Sequence, residues 1–179
     1  MSIRGTEEEG FSLIELVVVV SVLTILAAIV TPQVNKVVVK AKISRLENEL
    51  KVIKNAVNRL YAELGVYPTE VGQSTDPGLM TNSRIPSNYR INWQGPYLDK
   101  WPLEHPWGGT YDYDYRRNRN FDYDNTLGNE VSLTIRNNFS ASILNRIDAD
   151  LDDGSPLTGN IRHNASSILI YYIGEGPDW

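Results

Sequence analysis

Residues Gly10–Pro32 read GFSLIELVVVVSVLTILAAIVTP, and no charged residue interrupts the chain from Leu16 to Asn35. At a rise of about 1.5 Å per residue, some 20 helical residues span a hydrocarbon core of roughly 30 Å. The run is apolar on every side, including the four valines Val17–Val20, so it lacks the single stripe of a helix buried against a soluble core. A secretory signal would open with basic residues and close on a small-residue cleavage site, whereas here the opening MSIRGTEEEG is mainly acidic. The segment is therefore expected to enter a membrane and stay there. Glu15 is the exception, a carboxylate just inside its beginning.

Beyond Pro32 the pattern changes. Val39, Ile43, Leu46, Leu50, Ile53, Val57, Leu60 and Leu64 recur at alternating spacings that draw one stripe along a helix, with Lys40, Lys42, Arg45, Glu47, Glu49, Lys51 and Lys54 on the other faces. An all-apolar half thus runs into an amphipathic half. Pro32 is the expected place for a kink, because proline lacks a donor and crowds the preceding turn. The stripe suits either a coiled coil or the chain's own globular part, and the sheet-forming sequence that follows favours the latter. Gly65 with Tyr67-Pro68 closes the helix.

The remainder is expected to form loops and short antiparallel strands around one core. Residues Thr69–Tyr89 are rich in Gly, Pro, Ser, Thr and Asn and read as a loop. TYDYDY puts Tyr111, Tyr113 and Tyr115 on one face and Asp112 and Asp114 on the other; NFDYDN repeats the alternation, so the two form a predicted hairpin connected by Arg116–Asn120. EVSLTIRN and SSILIYYIG are further strands, and Ile143, Ile147 and Leu151 mark a short helix ending near Gly154. Tyrosines alternating in this way are expected to roof the helix stripe, and Trp101 and Trp107 to anchor turns.

Composition narrows the function. A net charge of −5 with no basic stripe gives no electrostatic reason to bind nucleic acid. The absence of cysteine removes disulfides, thiol catalysis and cysteine metal sites. His105 and His163 are the only histidines and lie far apart in sequence, and no phosphate-binding glycine loop or nucleophile elbow occurs, so no enzyme is expected. DADLDDG gathers Asp148, Asp150, Asp152 and Asp153, hard oxygen ligands at a density that suits calcium. It is not an EF-hand, because Asp153 holds the position that needs glycine and Gly159 the one that needs glutamate. If the short helix reaches Leu151, the alternative is a solvated helix end.

GFSLIE followed by an apolar helix with Pro32 resembles the amino-terminal signature of the type IV pilin-like proteins, the subunits of type IV pili and of type II secretion pseudopili. A second resemblance lies in GVYPTEVG and GPYLDKWPLEHPWGGTYDY, which look like segments of the type II secretion major pseudopilin, carried by Pro102, Pro106, Trp107, Gly108, Tyr111 and Tyr113. The implied fold is α+β, the type IV pilin fold: a long N-terminal helix packed on a small antiparallel sheet. The implied organisation is a leader over 1–10, a transmembrane and assembly helix over 11–35, an amphipathic helix over 36–65 and a head over 66–179. The resemblance further implies that a prepilin peptidase cuts between Gly10 and Phe11 and methylates the new amine of Phe11. It also implies a filament of like subunits, an inner-membrane assembly platform, minor pilin-like partners, a periplasmic or extracellular head, and calcium in a carboxy-terminal loop.

Two departures stand out. The leader sets Glu7, Glu8 and Glu9 against Arg4 where the family is basic, and His105 stands where the family has aspartate before Pro-Trp-Gly. Lys36, Lys40 and Lys42 taken alone would put the head in the cytoplasm, so charge and family disagree on orientation. Glu15 lies four residues past the cut, about 6 Å along the axis, one turn from the Phe11 amine. It is expected to pair with the amine of a neighbouring copy, since attraction grows in low dielectric. The leading expectation is a secretion pseudopilus subunit; the alternatives are a surface type IV pilin and a membrane-anchored binding domain that never polymerises.

Overall fold

The long helix comes first in the computed structural model, which describes residues 10–119, 128–164 and 167–177. Helix α1 covers Leu13–Leu64, 52 residues, starting two residues later than the expected assembly helix. It continues through Pro32, the expected kink site. Proline there leaves the Ala28 carbonyl without its helical donor, and one turn away the Thr31 hydroxyl donates to the Ala27 carbonyl at 2.7 Å. Ser21 and Thr24 likewise donate to Val17 and Val20 carbonyls at 2.7 and 2.8 Å. Each hydroxyl of this stretch is thus satisfied within its own helix, as an apolar solvent requires.

The chain divides into two compact units between Ala41 and Lys42. In the first, the large apolar side chains from Phe11 to Val38 are exposed on all sides. In the second, Ile43, Leu46, Leu50, Ile53, Val57 and Leu60 are buried, which is the expected stripe. Each such side chain contributes roughly 1.5–3 kcal/mol by leaving water. The helix stops as expected: Gly65 adopts φ +73° and its N–H donates to the Tyr61 carbonyl at 2.8 Å, a left-handed conformation that glycine adopts freely. The Thr69–Tyr89 loop contains two short helical pieces, a 3-10 turn Asn82–Arg84 and α2, Ser87–Arg90.

A four-stranded antiparallel sheet follows, formed by β1 (Thr110–Arg119), β2 (Gly128–Arg136), β3 (Ile161–Asn164) and β4 (Ile168–Glu175) in the order β1-β2-β4-β3. Helix α3, Ala141–Leu151, lies between β2 and β3 in sequence and is capped by the Ser140 hydroxyl, which accepts from Ile143 N–H. Strand β3 was absent from the sequence expectation because four residues with three polar members carry little periodicity.

The expected hairpin is corrected. TYDYDY pairs with the EVSLTIR strand, Tyr111 opposite Ile135 and Tyr113 opposite Leu133, and β1 runs on through Arg119 where a connection was expected. NFDYDN lies wholly outside the described residues. Side-chain chemistry selects this partner. The tyrosine face meets Val131, Leu133 and Ile135, while on the opposite face Arg136 Nε donates to Asp112 at 3.3 Å and the Thr134 hydroxyl donates to Asp114. These acids are themselves buried, and burial, with Asp114 nearby, holds the Asp112 carboxyl above its ordinary range.

The tyrosines do roof the stripe. Tyr111 donates to Glu49 of α1, Tyr113 to the Pro68 carbonyl at 3.0 Å and Tyr115 to the Gly176 carbonyl at 2.9 Å. Burial and the Glu49 bond push the Tyr111 hydroxyl far above its usual pKa. Tyr97 donates to Glu63 in the same way, and its pKa is pushed up to about 12, chiefly by burial. Trp101 is buried, as an anchor should be.

Candidate functional site

The first candidate is the front end of α1. Gly10, Phe11 and Ser12 precede the helix in irregular, exposed conformation. A methyl group added at Gly10 would meet nothing, so the fold itself places no demand for glycine there. Ser12 is the N-cap. Its Oγ accepts from Glu15 N–H at 3.3 Å, and Glu15 Oε2 accepts from Ser12 N–H at 2.9 Å. This reciprocal pair satisfies two donors that a helix start leaves open, and the helix dipole favours a carboxylate in the first turn.

Glu15 therefore has a local partner, Ser12, which the sequence expectation did not include. The Ser-x-x-Glu spacing was visible in the sequence but was eclipsed there by the apolar run behind it. The capping box uses one carboxylate oxygen, in a side chain that stands in an exposed turn. Chemically, the arrangement presents a fixed acid in the first turn of the helix, at the head of an apolar surface that no other part of the described residues covers.

The second candidate is the acidic run. The structure brings Asp148, Asp152 and Asp153 together, with one oxygen of each within 4.8 Å of the others. Asp150 does not join them; it is exposed and lies 3.6 Å from Arg146. The solvated helix end is also corrected, because Asp148 is fully buried. Residue i+4 spacing puts Ile147 and Asp148 on the packed side of α3, which the buried Leu144 shares.

Around the cluster, Asp148 Oδ1 accepts from Gly154 N–H at 3.1 Å and Asp152 Oδ2 from Ile161 N–H at 2.7 Å. Asp153 accepts from Ser155 N–H at 2.9 Å and from the Thr158 hydroxyl at 2.6 Å. Asp148 Oδ2 faces His163 Nε2 at 3.3 Å, yet neither atom makes a hydrogen bond among the described residues. Burial raises the Asp148 pKa, and it is the largest influence on that group. His163 carried no expectation because the two histidines are few and lie far apart in sequence; the group it faces is an aspartate from another element, which no local spacing reveals. A Cβ at Gly159, which has φ +73°, would run into the Asp152 carboxylate, so that glycine belongs to the cluster as well.

Comparison with known proteins gives three findings. The family described as "PilW, C-terminal" matches residues 37–126, and the one described as "Prokaryotic N-terminal methylation motif" matches residues 7–31. The chain is 36% identical over 110 residues to the type II secretion system core protein G of Pseudomonas aeruginosa, covering 60% of this chain and 73% of that protein. It is 34% identical over 113 residues to the protein of the same description in Vibrio cholerae, covering 60% and 70%. A fimbrial protein of Neisseria meningitidis is 33% identical over 85 residues, 48% of each chain. No solved structure matches.

Proposed function

Because this chain belongs to the type IV pilin-like family, a family of structural subunits, we propose that it builds the pseudopilus of a type II secretion system. In this reading a prepilin peptidase removes residues 1–10 and methylates Phe11. The mature subunit waits in the inner membrane with its head outside the cytoplasm, and an assembly platform with minor pilin-like partners draws it into a helical filament that drives protein export. The observation that carries the proposal is the front end of α1, where a junction at Gly10 is followed by a capped carboxylate and an uncovered apolar helix.

Energetics favour lateral packing of such helices. A carboxylate at the middle of a membrane helix costs on the order of 2.5–3.5 kcal/mol and less towards the interface, where Glu15 stays while the subunit is membrane-bound. In a filament it meets the Phe11 amine of a neighbour, and its capping bond to Ser12 holds it at the helix start for that encounter. Losing one partner of a buried pair costs roughly 3–5 kcal/mol. Glu15→Gln is expected to abolish filaments while cleavage and methylation, read by the mass of the amino-terminal peptide, proceed normally. Unchanged filament yield would overturn the role of Glu15.

A surface type IV pilus is the second reading, favoured by the fimbrial match, which is shorter than the secretion matches. Deletion of the gene separates them: the first predicts loss of exported enzymes, the second loss of surface fibres.

The acidic cluster supports a calcium site within either reading. Its donors are hard oxygens at a spacing one divalent cation spans, and the buried Asp148 Oδ2 lacks a hydrogen bond. Asp148, Asp152 and Asp153 would hold the ion. Millimolar calcium is then expected to raise the melting temperature, since saturation to about 100 Kd adds about 2.7 kcal/mol, and Asp152→Asn to abolish the rise. A melting temperature indifferent to calcium would remove the site.

A further inference from the structure

We propose that His105 is the bolt of an acid-sensitive latch: its neutral imidazole ties the Glu104–Gly109 turn to the end of β2, and protonation releases that turn. The ring is 2% exposed and makes two directed bonds. Nδ1 accepts from Trp107 N–H at 3.2 Å. An acceptor Nδ1 leaves the ring proton on Nε2, which donates to the Arg136 carbonyl at 3.1 Å. The ring also stacks on Phe139, with centroids 4.4 Å apart and planes 7° from parallel.

The turn itself is built around this residue. His105 N–H donates to the Gly109 carbonyl at 2.9 Å and Gly108 N–H to the His105 carbonyl at 2.7 Å. Asn138 Nδ2 donates to the Gly108 carbonyl at 2.9 Å from the far side. Gly109 admits the close approach, since a Cβ there would run into both the Arg136 carbonyl and His105 Nε2. The imidazole is thus wedged between the turn and the strand end, bonded to each.

Protonation turns both ring nitrogens into donors. Nδ1–H would then point at Trp107 N–H, donor against donor, and a cation would be buried against the Phe139 ring. The charged groups around it are few. From α1 come Glu49, which also accepts from Tyr111 and Arg45, and Lys42, whose ammonium lies 5.6 Å from the Trp107 ring centroid. The turn supplies Glu104 and β1 the Tyr111 ring, at 6.1 Å between centroids. The Arg136 guanidinium of β2 is occupied by Asp112 and Asp114. Burial is the largest influence and holds the His105 pKa below its ordinary value, against the Arg136 and Asn137 carbonyls and, more weakly, Glu49 and Glu104, which favour the imidazolium.

The sign follows. The unfolded chain takes up this proton more readily than the folded one, so the latch contributes fully above the ordinary histidine pKa of about 6.5. Its contribution is lost as the pH falls through the lower folded value. Opening frees the Phe139 ring from its stack on the imidazole and the Trp107 ring from its tilted contact with Phe139, 5.4 Å between centroids.

The test is hydrogen exchange read by mass spectrometry on the full chain in detergent, corrected for the intrinsic pH dependence, between pH 7.5 and pH 5. Protection of residues 104–109 is expected to fall on acidification, with a slope approaching tenfold per pH unit for one proton, while β2 amides from Val131 to Ile135 hold theirs. His105→Asn keeps an acceptor for Trp107 N–H without titrating and is expected to make the protection independent of pH. Histidine NMR gives the same answer with His105 intact: its midpoint is expected to coincide with the exchange midpoint, the other resonance being assigned by His163→Asn. Constant protection down to pH 5, equal loss in His105→Asn, or midpoints that do not coincide would each overturn the latch.

Discussion

Leu16 and Leu46 sit on the same helix, yet the first is 60% exposed and the second 0%. The difference lies in the surroundings each half was written for. From Lys42 to Leu64 the buried apolar residues keep to one stripe, mostly polar residues and the exposed Val52 cover the rest, and the tyrosines of β1 close over the stripe. From Leu13 to Ala41 apolar residues occupy every face, so no single packing surface of one chain covers them. Burial by the chain's own fold satisfies the first half; only lipid or other copies of the helix satisfy the second. The contrast marks the front of α1 as the apolar surface that the described part of the fold leaves uncovered.

Paired truncations test that division most severely. Leu50→Ala is expected to cost about 2–5 kcal/mol in denaturant unfolding of the head, because it empties a closed core. Val19→Ala, at a side chain 50% exposed in the isolated chain, is expected to leave the near-ultraviolet dichroism and the unfolding midpoint of the head unchanged. A head destabilised by Val19→Ala would break the comparison outright.

Ser12→Ala probes the front half with a smaller expected effect. Removing an N-cap hydroxyl costs about 0.5–2 kcal/mol, here confined to the first turn. Faster amide exchange at Glu15, whose N–H donates to the lost hydroxyl, with an unaltered head would sharpen the division. The smallest effect is expected at Arg45, whose side chain is 61% exposed although its Nε lies 2.8 Å from Glu49. Arg45→Ala is expected to shift head stability by only about 0.3–0.5 kcal/mol, as for other exposed pairs one turn apart, and a double-mutant cycle with Glu49→Gln measures it.

Legibility in the sequence followed the range of the interactions. The stripe from Ile43 to Leu64, the stop at Gly65, the helix around Ile147 and the alternation of Tyr111, Tyr113 and Tyr115 are local patterns, and each appears where its period places it. The capping box of Ser12 and Glu15 was equally local and was missed because the carboxylate was weighed only against membrane cost. The strand partner of TYDYDY was misassigned for a different reason. NFDYDN and EVSLTIRN both alternate, and period alone does not choose between them; the Arg136 and Thr134 side chains opposite Asp112 and Asp114 do.

Among the candidate site residues, the run of aspartates announced itself, but its internal geometry did not. Asp150 turns to Arg146, Asp148 goes into the core, and His163 arrives from β3 to face it. His105 likewise looked like an isolated departure from a family aspartate until Arg136, Asn138 and Phe139 were seen around its turn.

The linear order of residues determined on its own that this chain has one helix with two solvents, because hydrophobic periodicity is set by neighbours three and four positions away. It also set an acid, Glu15, in the first turn of that helix. Which strand pairs with which, which aspartates converge, and what holds the Pro-Trp-Gly turn were decided only by the tertiary structure. Those choices depend on side chains tens of residues apart, whose desolvation and hydrogen bonding are realised only once the sheet and helix have closed around them.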